Sequence, residues 1–286
     1  MKSFFKHLIK KYYLYYYIKE RFSPTVQITQ RKLLLKYQAD KRHNTLPQLK
    51  NTGFRVFSQF EEDGKLLFLF SLLDMNCPSF VEFGSDDGVN SNSANLFFHF
   101  GWNGLFLDGN KKAIERGQRF FSKYPHPHFT PPKFVQTHIT AENINELISK
   151  NGYTGEVGLL SIDIDGNDYW VWKAIDTIQA QVVIIETHVE FGMKDLIVPY
   201  DSTYMFPGKH PLYHGASPIA MNKLAIKKGY RLVGANDRGF NLIFLRNDLL
   251  VKEVPEVSIE SVLQHPSHQN NDFLFDQIKD FDFITE

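Results

Sequence analysis

Phe80-Val81-Glu82-Phe83-Gly84-Ser85-Asp86-Asp87-Gly88 joins a short apolar run to an acidic turn punctuated by two glycines. Aromatic and β-branched residues ending on glycine read as a buried strand whose chain turns sharply before a helix. Ser91 and Ser93 follow where a helix cap belongs. In an open α/β sheet, ligands bind outside the carboxyl end of such a strand. The stretch therefore predicts both the architecture and the place of the site.

The same texture repeats outward from it. Gly104–Asp108, Lys133–Thr137, Gly158–Asp163 and Val182–Thr187 are apolar runs separated by helical ones, the pattern of βα units in a parallel sheet. Tyr230–Gly234 and Leu242–Arg246 flank Ala235-Asn236-Asp237-Arg238-Gly239, a turn-rich spacer suited to an antiparallel hairpin. The expectation is a doubly wound α/β domain over 51–250, five parallel strands closed by a hairpin. Upstream, Glu61 to Gly64 precede Leu66, Leu67, Leu69, Phe70, Leu72 and Leu73, which predicts a buried helix with acids at its positive end.

Four acidic residues give the turn and its neighbourhood their chemistry. Glu82 is a carboxylate in an apolar strand, costly there unless it meets a ligand's ammonium or bound water. Asp108 closes the second strand, where an acid accepts hydrogen bonds from ribose hydroxyls. Glu82, Asp86 and Asp87 crowd the position where a dinucleotide fold holds pyrophosphate. They would repel it and welcome a cationic sulfonium carrying an α-amino group. A nicotinamide-dependent oxidoreductase is the rival on such a sheet, and a non-catalytic partner subunit keeping the fold is a second.

Several further motifs carry a resemblance. Ser58-Gln59-Phe60-Glu61-Glu62-Asp63-Gly64, Val81 to Gly88, Gly101-Trp102-Asn103-Gly104, Leu107-Asp108-Gly109-Asn110 and Ser161-Ile162-Asp163-Ile164-Asp165-Gly166-Asn167-Asp168 together resemble the FkbM-type methyltransferase family over about 58–246. The resemblance implies a class I methyltransferase fold, strand order 3-2-1-4-5-7-6 with strand 7 antiparallel, and S-adenosylmethionine as cofactor. It implies a cofactor site drawn from Glu82, Gly84, Ser85, Asp86, Gly88, Asp108, Gly109, Asn110, Ile139 and Asp163. Within that set Glu82 and Gly84 flank the methionine moiety, Asp108 holds the ribose and Ile139 lies against adenine. It favours O-methylation of a glycan or secondary metabolite. The chain departs from the family in carrying Asp86 in place of a middle glycine, and Asp163-Ile164-Asp165-Gly166 where relatives carry Asp-Val-Glu-Gly.

On the acceptor side, Asp163 and Asp165 would leave one face of a persisting fourth strand, and Glu186 and His188 one face of the fifth. With strands four and five adjacent, these groups converge beside the cofactor turn. Asp165, Glu186 and His188 are then candidate ligands for Mg²⁺ or Mn²⁺. Without metal, Asp165 or His188 is the candidate general base, with Asp163 beside them. Asp168 reads alternatively as the cap or first-turn acid of a helix near Tyr169. Residues 188–216, with Glu190, Tyr200, Asp201, Tyr204, Phe206, His210, Tyr213 and His214, read as a lid or acceptor segment.

The 286 residues carry 32 Lys plus Arg against 32 Asp plus Glu, so no global field recruits nucleic acid. The single cysteine, Cys77, excludes an internal disulfide and points to a cytoplasmic setting. Lys2, Lys6 and Lys10 opposite Phe5, Leu8, Ile9, Tyr12, Tyr13 and Tyr16 predict a basic amphipathic helix over 1–22. It is expected to dock on the domain or a second copy of the chain, giving a homo-oligomer. The other reading is peripheral contact with an anionic inner membrane surface. Residues 23–50, with Pro24 and Pro47, read as an irregular lead-in completing a 1–50 extension. Residues 251–286 read as an acidic aromatic tail, solvated or lying against the basic helix.

Overall fold

The computed structural model describes residues 18–124 and 130–286. The basic helix expected over 1–22 lies outside them apart from its last turn. Seven strands form one sheet: β1 (Ser79–Phe83), β2 (Asn103–Asp108), β3 (Lys133–Gln136), β4 (Gly155–Ile162), β5 (Ile178–Glu186), β6 (Tyr230–Ala235) and β7 (Asn241–Arg246). Their order is β3-β2-β1-β4-β5-β7-β6. β1 to β5 are mutually parallel, and β7 runs antiparallel to both β5 and β6. This is the class I methyltransferase order that the resemblance implies.

Both faces of the sheet are covered, which is why its central strands are apolar throughout. Val81 and Phe83 of β1 join one core with Ile144 and Ile148, with Tyr169 and Trp172, and with Met221 and Leu224. These come from helices α5 (Ile144–Lys150), α6 (Asp168–Ala174) and α7 (Pro218–Lys227). Phe80 points the other way, into a core with Phe68, Phe97 and Phe121. That face is roofed by α1 (Pro24–His43), α2 (Glu62–Leu72), α3 (Ala94–Phe100) and α4 (Lys111–Phe121).

Two expectations fail. Residues 23–50 are not irregular, because α1 occupies twenty of them. Pro24 starts that helix rather than breaking it: Ser23 caps it, and a proline in the first turn lacks only an N–H that has no helical partner. The C-terminal segment is not solvated either. Ile278 is fully buried with Phe191, Tyr213, Phe275 and Phe283, and Ile284 bridges to Ile197. Asp272, Asp276, Asp280 and Asp282 face solvent, so the net charge concealed an apolar face.

The motif at 58–64 holds the hairpin to the rest. Asp63 accepts the backbone N–H groups of Val56, Phe57 and Ser58, and Glu62 accepts the amides of Asn236 and Asn241. Lys65, buried, reaches Glu61, Asp237 and the Ala235 carbonyl. Among the described residues no helix is long and apolar enough to cross a membrane.

Candidate functional site

The carboxyl ends of β1, β2 and β4 meet at Gly84. Its N–H donates to the Leu107 carbonyl, and its φ is +70°. A Cβ there would stand 1.5 Å from the Asp163 carbonyl oxygen, so only glycine lets the strands approach. Over this junction opens a cleft of about 560 Å³. Asp108, Gly109 and Ile139 line it together with Asp163, Asp165 and Glu186, and Tyr204, Met205 and Phe206 of the 188–216 segment contribute to its wall.

The structure therefore brings Gly84, Asp86, Asp108, Gly109, Ile139 and Asp163 of the expected cofactor set to one cleft. Glu82, Ser85, Gly88 and Asn110 support it from behind. Glu82 is buried, and its oxygens accept the N–H groups of Asn92 and Ser93 at 3.1 and 3.0 Å, fixing the approach to α3. Burial raises its pKa against those bonds. Ser85 is buried, Gly88 packs against Phe106 and Phe134, and Asn110 caps α4 through the N–H groups of Lys112 and Ala113.

Arg116 changes the electrostatics of the turn. Its Nε lies 2.6 Å from Asp87 and its guanidinium 3.0 Å from Asp86. Those two charges are paired, so the repulsion expected of them is offset; four further carboxyls, of Asp108, Asp163, Asp165 and Glu186, line the cleft. Asp108 accepts the N–H groups of Asp86 and Asn110 at 2.8 and 2.6 Å, which aims it at the cleft. Burial pushes its pKa up, offset by those bonds.

Asp163, Asp165 and Glu186 bring carboxylate oxygens within 4.8 Å of one another. β4 ends at Ile162, so Asp163 and Asp165 do not share a strand face as expected; Asp165 turns back through a left-handed φ of +53°. Asp168 enforces that turn by accepting the N–H groups of Ile164 and Gly166; it is the first-turn acid of the helix that follows, whose cap position is Asn167. Burial and the charges of Asp168 and Asp165 push Asp163 up to about 8. Burial and Asp163 likewise raise Glu186 well above its ordinary value. Water-poor carboxylates this close ionise together only when a cation joins them.

His188 is not in that trio. β5 ends at Glu186, and Thr187 and His188 donate their N–H groups to the carbonyls of Phe240 and Ala216. The ring turns away, with Nδ1 2.5 Å from Glu190 and its centroid 4.2 Å from that of His214. Asp163 takes its place among possible metal ligands. His188, Glu190 and His214 line a second chamber of about 310 Å³, which shares Asp165, Glu186, Phe206 and Phe240 with the first cleft. Sequence reasoning missed Gln59, Phe240, Asn167 and Met205 in the cleft wall and Arg116 behind the turn. Phe240, Met205 and Arg116 are placed by the hairpin, the 188–216 segment and α4 docking over the sheet, for which local pattern holds no signal, whereas Gln59 and Asn167 lie within the motifs that carry the resemblance.

No protein-family model matches the chain, and no curated protein matches it. Solved structures similar to it include an O-methyltransferase from Bacillus cereus in complex with S-adenosylhomocysteine (14% identity, 76% of this chain and 89% of that one, TM-score 0.40). Another is an S-adenosylhomocysteine-bound methyltransferase from Podospora anserina (13%, 74% and 86%, TM-score 0.41). A third is the magnesium protoporphyrin IX methyltransferase of Synechocystis with bound S-adenosylmethionine (12%, 65% and 77%, TM-score 0.40).

Proposed function

We propose that the chain is an S-adenosylmethionine-dependent O-methyltransferase. The observation that carries the reading is the lining of the cleft: the carboxyls of Asp108, Asp163, Asp165 and Glu186 face it, and neither lysine nor arginine does. Such a wall opposes a pyrophosphate and suits a sulfonium and an ammonium. Asp108 would take the ribose hydroxyls, Ile139 would lie against adenine, and Asp163 would face the amino-acid end. S-adenosylmethionine supplies an electrophilic methyl group. The protein aligns it with an acceptor arriving over β4 and β5 and keeps water out with Tyr204, Met205 and Phe206.

Calorimetric titration with S-adenosylhomocysteine and with NADH tests this. S-adenosylhomocysteine is expected to bind, and Asp108→Ala to weaken it roughly 10- to 150-fold through loss of a charge-assisted hydrogen bond of about 1.5–3 kcal/mol. Binding of NADH alone overturns the reading.

The Asp163, Asp165 and Glu186 trio supports a second reading, a divalent ion assisting the transfer. Their all-oxygen donor set fits Mg²⁺ or Mn²⁺, and such an ion would lower the acceptor hydroxyl's pKa. Heat of Mg²⁺ binding that Asp165→Ala abolishes supports it; activity unchanged in chelator overturns it.

A further inference from the structure

We propose that the chamber beside the cleft is the acceptor site, that it admits an uncharged hydroxyl-bearing molecule and rejects anionic ones, and that Glu190 positions His188 to receive the hydroxyl proton. The proposal rests on the cleft being the S-adenosylmethionine site. The two spaces meet along Asp165, Glu186 and Phe206, so a molecule in the chamber reaches toward whatever lies in the cleft.

His188 is only 8% exposed, yet its Nε2 has no hydrogen-bond partner among the described residues. A buried polar atom left unpaired costs free energy unless a ligand completes it. Nδ1 is engaged by Glu190, whose carboxyl is raised by burial but held below its ordinary value overall by this hydrogen bond. With Glu190 accepting from Nδ1–H, Nε2 is the ring atom left to accept from an acceptor hydroxyl. Phe191 stacks on the imidazole at 4.8 Å and fixes the ring plane.

The selectivity follows from the walls. Asp165, Asp168, Glu186 and Glu190 line the chamber with no lysine or arginine. His214, also in the chamber wall, is pushed down to about 4, chiefly by burial, so it supplies no positive charge near neutrality. A phosphate or carboxylate entering would face Glu190 and three further carboxyls with no lysine or arginine to pair it, a device against wrong acceptors. A neutral polyol would instead donate hydroxyls to them and lay its C–H faces on Phe206 and Leu212. In the reaction the acceptor oxygen bonds to the methyl carbon as the S–C bond breaks with its electron pair kept on sulfur. The hydroxyl proton passes to His188 Nε2, and the imidazolium formed is paired with Glu190.

The test uses the full chain, radiolabelled S-adenosylmethionine, and a panel of neutral methyl glycosides and phenols matched to sugar phosphates and uronates. Transfer is expected to at least one neutral member and to no anionic one. Transfer to an anionic member at a comparable rate, or to no neutral member, overturns the proposal. Glu190→Gln should lower kcat roughly 10- to 100-fold with KM nearly unchanged, with Glu190→Asp recovering part of it. Equal losses in Gln and Asp variants of unchanged melting temperature overturn the positioning role. Imidazole ¹⁵N spectra give a readout without turnover: wild type should show His188 protonated at Nδ1 and Glu190→Gln a tautomer mixture, whereas a mixture in wild type overturns it. S-adenosylhomocysteine calorimetry on each protein separates the cases. Lost binding in wild type sinks the cofactor reading, whereas intact binding with the opposite chamber results sinks this proposal alone.

Discussion

Gly84 is where covalent geometry and chemistry meet. A side chain is excluded there twice: by a φ of +70° and by the Asp163 carbonyl 1.5 Å from where a Cβ would stand. Gly166, in the turn after β4, is also tightly packed, since a Cβ on it would lie 2.3 Å from the Tyr204 ring. The two differ in what yields. At Gly84 the obstacle is backbone at the crossing of β1 and β4; at Gly166 it is a side chain of the covering segment. Gly84→Ala is therefore expected to leave little folded protein, while Gly166→Ala folds with Tyr204 displaced and cofactor affinity reduced. Circular dichroism melts of the two variants beside S-adenosylhomocysteine titrations check this, and a wild-type melt for Gly84→Ala would refute it.

At the scale of elements, strands were legible and connections were not. Val81 and Phe83, or Leu159 and Val182, announce themselves because a two-sided core demands apolar residues whatever lies around them. The Glu82 carboxylate was visible as anomalous but its partner was not, since the N–H groups of Asn92 and Ser93 reach it only once the loop before α3 folds back. His188 fell outside the carboxylate trio because strand periodicity stops at Glu186. The C-terminal segment shows the same limit: its apolar residues pack on Phe191 and Tyr213, which lie more than sixty residues earlier. That segment braces the connection carrying Glu190 and His214, with Asn271 donating to the Val189 carbonyl. Ile278→Ala is expected to cost about 2–5 kcal/mol locally. Because the sheet does not depend on it, the loss should appear as faster proteolysis within 189–214 and lower kcat, with cofactor affinity retained. A uniform fall in protection across β1 to β5 by hydrogen exchange would contradict this.

Across the whole molecule, buried ionisable groups pull in two directions with pH. His99 and His214 are held neutral down to about 4 by burial. Their unfolded forms bind protons near 6.5, so the stability they contribute is complete above 6.5 and lost as pH falls towards 4. Asp63, pushed up to about 6 by burial, and Asp163, pushed up to about 8, act oppositely. Folded, they keep protons that the unfolded chain has released, so their contribution is complete below 3.8 and lost as pH rises through 6 and 8 respectively. Between 4 and 6.5 the opposing groups largely offset each other. Above 6.5 the histidines no longer contribute to the slope, Asp63 is already ionised, and Asp163 with Glu186 acts unopposed. The melting temperature of the ligand-free protein should therefore fall from pH 6.5 to 8. Asp163→Asn combined with Glu186→Gln should flatten that fall, since both groups then carry no charge at any pH. Saturating S-adenosylmethionine should flatten it too, because a cation against the pair makes ionisation favourable. A melting temperature that rises over this interval would contradict raised pKa values of Asp163 and Glu186 in the folded protein. A fall that persists unchanged in the double variant would place its origin elsewhere in the fold.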